Sequence, residues 1–372
     1  MLPDPNVETF GQYVRSLREQ QNIGQRELAR IIGVSAPYLN DIEKDKRGAP
    51  RPEMVEAMAE VLGADENRMF DLAGASRNDV AADIADMVRS SPETVALLRA
   101  IRDYRPNEEQ VRNMRETLMA SNTRAIVIAA GLGSRMKEYT ESKPKCLLEF
   151  GDKTLLQRQI EAYRFCGIED IALVRGYKKD AIDYDGIVYY DNDEYADNNI
   201  LNSLFYAEEA INGHVIAAYS DILFESPVVS RLLASKHDIS IVVDIDWRGY
   251  YVGRRDHPIE EAENVIFDAN NNVVEIGKIL TGKNDVHGEF IGMVKLTPRG
   301  ADIFKRHFAR AKALYWDKPF QRAMTFQRAY LTDMIQEMVD LGTPIHCVII
   351  ERGWKEIDTV EDYEKALRDF EE

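Results

Sequence analysis

Apolar residues at helical spacing open the chain. Phe10, Val14 and Leu17 fall on one face of an amphipathic segment that Asn22-Ile23-Gly24 ends. Residues 25–35 then read as a short helix, a glycine turn at Gly33 and a serine cap at Ser35. Residues 36–44 and 51–62 predict two further helices, the second with Met54, Met58 and Leu62 on one side. From 73 to 122 the pattern stays helical but turns polar, with Val95, Leu98 and Ile101 on one stripe and a break at Arg105-Pro106-Asn107. Beyond 123 the period changes. Short apolar runs at 125–130, 171–175, 187–190, 215–219 and 239–244 predict strands, and 155–166, 201–210 and 228–236 predict the helices between them. Such alternation implies an α/β fold whose mixed, mainly parallel sheet carries helices on both faces. The organisation expected is therefore a small all-α head over 8–72, a helical linker over 73–122 that offers a dimer contact, and an α/β domain over 123–372.

Composition narrows the class. The 372 residues are 45% hydrophobic and 30% charged, with a formal net charge of −17, which argues against a general coat for nucleic acid or membrane. No apolar run approaches the length of a membrane span, and Met1-Leu2-Pro3-Asp4-Pro5 lacks a signal pattern, so a cytoplasmic location is expected. Cys146, Cys166 and Cys347 lie far apart with no metal-ligand spacing and read as reduced thiols. An acidic balance still admits anionic ligands where local cations, backbone amides or a divalent metal meet them.

The candidate chemistry starts at the first strand. Ile126-Val127-Ile128-Ala129-Ala130-Gly131-Leu132-Gly133-Ser134-Arg135 is a buried strand running into a glycine loop, and Lys143-Pro144-Lys145 follows about ten residues later. Glycines let backbone amides approach phosphate oxygens, while Arg135 adds a planar fork and Lys145 a compact ammonium. It is neither a Walker loop, which needs Gly-Lys-Ser/Thr before a helix, nor a dinucleotide fingerprint with its third glycine. Two aspartates stand at strand and helix boundaries: Asp221 in Tyr219-Ser220-Asp221, and Asp358 in Glu356-Ile357-Asp358-Thr359-Val360-Glu361. Taken singly, Asp221 is also explained as a turn residue, and Asp358 as a helix cap with Glu361 as its reciprocal carboxylate.

The glycine loop with its Lys-Pro-Lys segment resembles the phosphate loop of nucleotidyltransferases, over residues 123–370. The resemblance implies a Rossmann-like, GT-A-like sheet and a Mg²⁺-dependent transfer in which an acceptor oxygen attacks the α-phosphorus and pyrophosphate leaves. It places Arg135 and Lys145 on the phosphates, Asp221 and Asp358 on the metal, and Lys278 on the α-phosphate or acceptor. Ala129, Ala130, Gly131, Gly133, Ser134 and Ser220 then line the nucleotide, and Gln157 is a candidate for reading cytosine. The segment Tyr195-Ala196-Asp197-Asn198-Asn199-Ile200-Leu201-Asn202-Ser203-Leu204 resembles bacterial phosphocholine cytidylyltransferases and relatives that activate 2-aminoethylphosphonate with CTP for lipid or glycan decoration. It makes Asn199 and Ser203 acceptor candidates. Residues 288–292 and 250–263 resemble the phosphonate branch. There Arg254, Arg255 and His257 are candidates for the acceptor's anion, and Asp244, Asp246 or Glu289 for its amine. Trp247, Tyr250 and Tyr251 are the alternative, an aromatic cage for a methylated ammonium. A sugar-1-phosphate transferase and a ligand sensor that has given up turnover remain alternatives.

The head resembles the Cro/repressor helix-turn-helix family, with Ala29, Gly33, Val34, Leu39 and Ile42 where that family packs its central helices. The resemblance makes Ser35, Tyr38, Asn40, Lys44, Lys46 and Arg47 candidates for DNA contact and a homodimer the expected state. Residues 1–75 nevertheless carry 13 acidic against 9 basic residues, so a docking or dimerisation module is the competing account.

Overall fold

The computed structural model describes residues 8–278, 280 and 286–371. Residues 1–5, on which the expectation of no signal segment rests, lie outside that range. Packing divides the chain into two compact units, Met1–Glu108 and Glu109–Glu372.

In the first unit the described helices are α1 (Phe10–Gln20), α2 (Gln25–Ile31), α3 (Ala36–Glu43), α4 (Pro52–Leu62), α5 (Glu66–Arg77), α6 (Ala82–Ser90) and α7 (Pro92–Tyr104). The α2–α3 turn depends on Gly33, whose φ of 72° suits a residue without a Cβ, and on Val34 N donating to Ala29 O at 2.8 Å. Phe10, Val14, Leu28, Leu39, Ile42, Val55, Met58 and Leu62 form the core, joined by Met69 and Ala73 of α5, so the packed head runs past residue 72. Met54, expected on the inner face of α4, is only half-buried; Val55 takes that place. Buried Glu43 at the end of α3 is neutralised by Arg18 of α1, Nε at 2.7 Å and Nη2 at 3.0 Å. By contrast, α6 and α7 bury none of their residues, and Leu97 and Leu98 are exposed.

The second unit is a three-layer α/β domain. After α8 (Glu108–Ser121), its chain runs β1 (Thr123–Ala129), β2 (Glu149–Phe150), β3 (Lys153–Thr154), α9 (Leu155–Phe165), β4 (Asp170–Arg175), β5 (Ile187–Asp191), α10 (Ile200–Leu204), β6 (His214–Tyr219), β7 (Ile222–Phe224), α11 (Ser226–Ala234) and β8 (Ile239–Asp244). It continues β9 (Asn264–Phe267), β10 (Val273–Gly277), β11 (Gly288–Leu296), α12 (Pro298–Tyr315), α13 (Leu331–Asp340), β12 (His346–Ile350), β13 (Trp354–Glu356) and α14 (Val360–Glu371). The main sheet has the order β10-β9-β11-β6-β1-β4-β5, and β8 joins β11 to β12. Strands β6, β1, β4 and β5 pair in parallel, and β11 runs antiparallel to β6 and β8. This is the mixed, mainly parallel sheet expected. The span 201–210 is not one helix: α10 gives way at Leu204 to a 3-10 turn over Phe205–Ala210.

The alternation of side chains along β1 explains its unbroken apolar run. Ile126 and Ile128 face a core that includes α12 and α13, while Ala125, Val127 and Ala129 face one that includes α9 and α11. From β1 the chain moves through α9 to β4 on one side and later returns to β6 on the other. The carboxyl ends of β1 and β6 therefore flank a switch point, where open α/β sheets bind ligands.

Candidate active site

Three segments converge at that switch point. The first is the loop after β1. Gly133 adopts a φ of 61°, and a Cβ there would come within 3.1 Å of the Lys145 Cβ, so a glycine lets the loop close over the Lys145 stem. At Gly131 a Cβ would meet no protein atom within 4 Å, which leaves the face of the loop accessible. The second is Ser220-Asp221 at the end of β6. The third arrives from the far end of the sequence: β13 pairs antiparallel with β7, Glu356 opposite Ile222, and Ile357 N donates to Asp221 O at 2.8 Å. That short ribbon lays Asp358 beside Asp221.

Lys145 Nζ donates to Asp221 Oδ2 at 2.7 Å and to Asp358 Oδ1 at 2.9 Å. Burial disfavours its charge, but the two carboxylates outweigh burial and hold its pKa above the usual lysine value. Arg135 bridges Asp358 Oδ2 and Glu261 Oε2, the latter at 2.7 Å. Burial would raise the Asp358 pKa, but Lys145 and Arg135 override it and hold the carboxyl well below the usual range. Asp358 is not its helix's cap. Thr359 and Asp362 form the reciprocal pair instead: Asp362 N donates to Thr359 Oγ1 at 3.2 Å, and Thr359 N to Asp362 Oδ2 at 3.0 Å. The Asp358 side chain is thereby free to face Lys145.

A divalent metal fits this pair. Both side chains offer the hard oxygen donors Mg²⁺ requires, Asp221 Oδ1 is buried without a hydrogen-bond partner, and the Lys145 ammonium already bridges the other oxygens as a cation. His257, Glu356 and Asp358 also bring ligand atoms within 4.8 Å of one another. Arg254 already stands there, its Nη2 3.1 Å from His257 Nδ1.

The other expected site residues divide by burial. Ala129 and Ala130 are buried at the strand end, Gly131 and Ser134 are exposed on the loop, and Ser220 is half-buried beside Asp221. Gln157 sits in the first turn of α9. It is buried Gln159 that reaches the β6–β7 turn, donating to Tyr219 O at 2.9 Å and Ile222 O at 2.6 Å. Lys278 lies 5.0 Å above the Tyr330 ring and lowers the pKa of Glu263. Asn199 caps α10, and Ser203 joins Asn192 and Asn198 in a hydrogen-bonded knot. Arg254 is buried with Nε and Nη2 on Asp362, at 2.8 and 2.9 Å, while its buried Nη1 has no hydrogen-bond partner. Arg255 and Asp246 are exposed. Burial and Arg254 push His257 down to about 4, so the ring is neutral near pH 7.

Asp244 is fully buried and accepts from Trp354 Nε1 at 2.8 Å, Asp246 N at 2.9 Å and Arg352 N at 3.1 Å, so it supports the fold rather than facing a cleft. Glu289 differs. One oxygen takes the Tyr251 hydroxyl, the other is buried without a partner, and burial raises its pKa to about 8. Trp247 packs edge-on against Tyr251, and its buried Nε1 also lacks a partner. Glu263 is the residue sequence reasoning passed over. It meets Tyr219 Oη and Thr332 Oγ1, both at 3.3 Å, and burial raises its pKa to about 7 against the pull of Lys278. Glu261 and Glu356 were given no role either, although both lie inside segments singled out for their motifs, 250–263 and 356–361.

Comparisons with known proteins assign both parts of the chain to known families. Residues 9–72 match the helix-turn-helix domain family and residues 125–275 the MobA-like NTP transferase domain family. The chain is 34% identical over 164 residues to a choline-phosphate cytidylyltransferase of Streptococcus pneumoniae, covering 43% of this chain and 68% of that protein. The chain belongs to the nucleotidyltransferase family. This nucleotidyltransferase is also 27% identical over 255 residues to a CTP:phosphoglutamine cytidylyltransferase of Campylobacter jejuni, covering 65% of this chain and 98% of that protein. Its fold resembles the solved CTP:phosphocholine cytidylyltransferase of S. pneumoniae with a TM-score of 0.51 at 22% identity, over 66% of this chain and 98% of that one. Among its described residues, no helix is long and apolar enough to cross a membrane.

Proposed function

We propose that this nucleotidyltransferase joins CTP to a small zwitterionic phosphonate or phosphate ester carrying a primary amine, of which 2-aminoethylphosphonate is the type, and releases pyrophosphate. The observation that carries the reading is the meeting of Asp221 and Asp358 on Lys145 beside an accessible glycine loop. Two polyanions react only where their charges are offset. An anionic acceptor oxygen forms the new bond to the α-phosphorus as the bond to the β-phosphate oxygen breaks, and that oxygen leaves with its electron pair in pyrophosphate. The acceptor oxygen already carries charge, so no strong base is needed. Loop amides from Gly131 to Ser134 hold phosphate oxygens. Arg135, exposed in its pairing with Glu261, turns to the triphosphate, and Lys145 neutralises charge building on the leaving group. Mg²⁺ held by Asp221 and Asp358 supplies further charge neutralisation when bound.

The choice of a primary amine rests on Glu289. Its unpartnered buried oxygen accepts from an N–H donor, which a trimethylated ammonium lacks. The aromatic neighbours Trp247, Tyr250 and Tyr251, with the likeness to a choline-phosphate cytidylyltransferase, favour phosphocholine as the second reading. Pyrophosphate release measured with CTP, UTP, ATP and GTP against 2-aminoethylphosphonate, phosphocholine, phosphoglutamine and glucose-1-phosphate decides between them. Turnover confined to CTP and the primary amine is expected. A preference for phosphocholine transfers the assignment to the second reading, and silence across the panel removes transfer altogether.

For the head, the proposed partner is DNA, approached by α3 with Lys44, Lys46 and Arg47 exposed at its end and Arg47 stacked 4.8 Å over Tyr38. Binding that weakens with salt and is lost on replacing the three basic residues by alanine is expected; salt-independent binding would sink it. Pairing of two chains along Val95, Leu98 and Ile101 is the accompanying proposal, and sedimentation at the monomer mass refutes it.

A further inference from the structure

Arg254 and Asp362 stand outside the proposed chemistry, yet they are among the most completely buried charged groups near it, with side chains 1% exposed in both cases. The guanidinium lies 4.7 Å from the ring centres of both Tyr250 and Tyr251 and donates from Nε and Nη2 to the two oxygens of Asp362. The oxygen of Asp362 that takes Arg254 Nη2 also accepts from Asp358 N at 3.2 Å, Thr359 N at 3.0 Å and Thr359 Oγ1 at 2.9 Å. One carboxylate oxygen thus gathers the backbone on which Asp358 is mounted. A second clasp runs alongside, with Arg255 N and Asp256 N donating to Glu361 Oε2 at 2.7 and 3.1 Å. Arg254 Nη2 is also 3.1 Å from His257 Nδ1 and 3.4 Å from Glu356 Oε2, both neighbours of Asp358.

Asp358-Thr359-Val360-Glu361 could form a capping box of its own, which would turn the Asp358 carboxylate back onto its helix. Asp362 takes the cap one residue later with Thr359, and Arg254 neutralises Asp362 so that it can sit buried against three donors. We propose that Arg254 and Asp362 are positioning residues, a buried clamp that holds Asp358 turned out of the helix cap and towards Lys145 and a divalent cation. The proposal rests on the nucleotidyl-transfer reading only for what the cation is used for; the orientation of Asp358 is tested without turnover.

The test is Mn²⁺ binding to the full chain, followed by the electron paramagnetic resonance of the free ion, for the wild type, Arg254→Lys, Asp362→Asn and the double variant. Thermal unfolding is measured in parallel. Loss of a residue that orients a metal ligand raises the Kd roughly 10-fold or more. Because the two act as one device, the double variant should fall close to the weaker single variant rather than multiply the two effects. Exposed Glu364 on the same helix is the control, and Glu364→Gln should leave Kd unchanged. If either variant fails to fold, Thr359→Val, which removes one hydroxyl from the box and keeps the ion pair, carries the test with a Kd rise of about 3-fold or more expected. Single variants that melt earlier yet bind Mn²⁺ as the wild type does would reduce the pair to a stability element and overturn the proposal. Multiplicative effects in the double variant, or a wild type that binds no Mn²⁺, overturn it as well. A wild type that binds Mn²⁺ but releases no pyrophosphate, with the variants weakened as stated, removes the transfer reading and leaves the clamp standing.

Discussion

Replacing Lys145 with Met keeps the length and apolar stem of the side chain and removes one positive charge from between two carboxylates. In the folded protein that charge lies 2.7 Å from Asp221 and 2.9 Å from Asp358, with 12% of the side chain exposed. Two consequences separate. Without Lys145 the two carboxylates face each other with Arg135 as the remaining cation on Asp358, a cost of about 3 kcal/mol for a broken buried pair. For a unit of this size that lowers the melting temperature by roughly 6–12 °C. Mg²⁺ should restore part of that loss, and raise the melting temperature of the variant more than that of the wild type, because the metal finds two carboxylates freed of their ammonium. Turnover should fall about 10²- to 10³-fold in kcat/KM even at saturating Mg²⁺, the usual loss when one preorganised donor to transition-state charge is removed. Pyrophosphate release and calorimetry with and without Mg²⁺ read both effects. A variant within threefold of wild-type kcat/KM, or one that Mg²⁺ stabilises no more than the wild type, would refute the assignment of Lys145 to the reacting phosphates.

Asp244→Ala separates support from recognition: it strips the acceptor from Trp354 Nε1 and Arg352 and should cost about 3 kcal/mol, with the acceptor KM unchanged in whatever enzyme remains folded at low temperature. A raised KM with normal melting would instead place Asp244 at the acceptor. Glu263 titrates near 7 in the folded protein against an ordinary value of 4.5, so the unfolded chain releases this proton first. Stability should therefore decline as pH rises from about 4.5 to about 7 and level off above, by at most about 3 kcal/mol, and Glu263→Gln should flatten that slope in urea titrations across the range. An unchanged slope in the variant would assign the burial cost elsewhere. Gly133→Ala places a Cβ at a φ of 61° and 3.1 Å from Lys145, which should cost about 1–2 kcal/mol and lower kcat at least tenfold by displacing the lysine; wild-type kcat would show that the loop tolerates the shift.

How far the sequence could be read depended on whether the deciding partners were neighbours along the chain. The glycine loop and Lys145 were legible because backbone freedom, strand periodicity and charge lie within about twenty consecutive residues. Roles that hinge on a distant partner were not. Arg254, His257 and Glu289 stood together as charged and aromatic residues suited to an acceptor. Only packing revealed that Arg254 is held by Asp362 from the last helix, that burial leaves His257 neutral, and that Glu289 keeps an oxygen unpaired. The cap at Asp358 was ambiguous for a local reason: two overlapping boxes, starting at Asp358 and at Thr359, satisfy the same spacing.

The sequence by itself determined that the chain carries a small helical head and a mainly parallel-stranded α/β domain, that β1 is a buried apolar strand, and that a glycine loop follows it. Periodicity, glycine and capping preferences act over a few residues and survive without a fold. Tertiary structure alone decided that β7 and β13 pair and so bring Asp358 to Asp221, that Asp244 is held by Trp354 and Arg352, and that Glu263 is buried against Tyr219 and Thr332. Burial and Coulomb interactions belong to groups that meet only after the sheet has closed, and no local pattern encodes which carboxylate will be left without a partner.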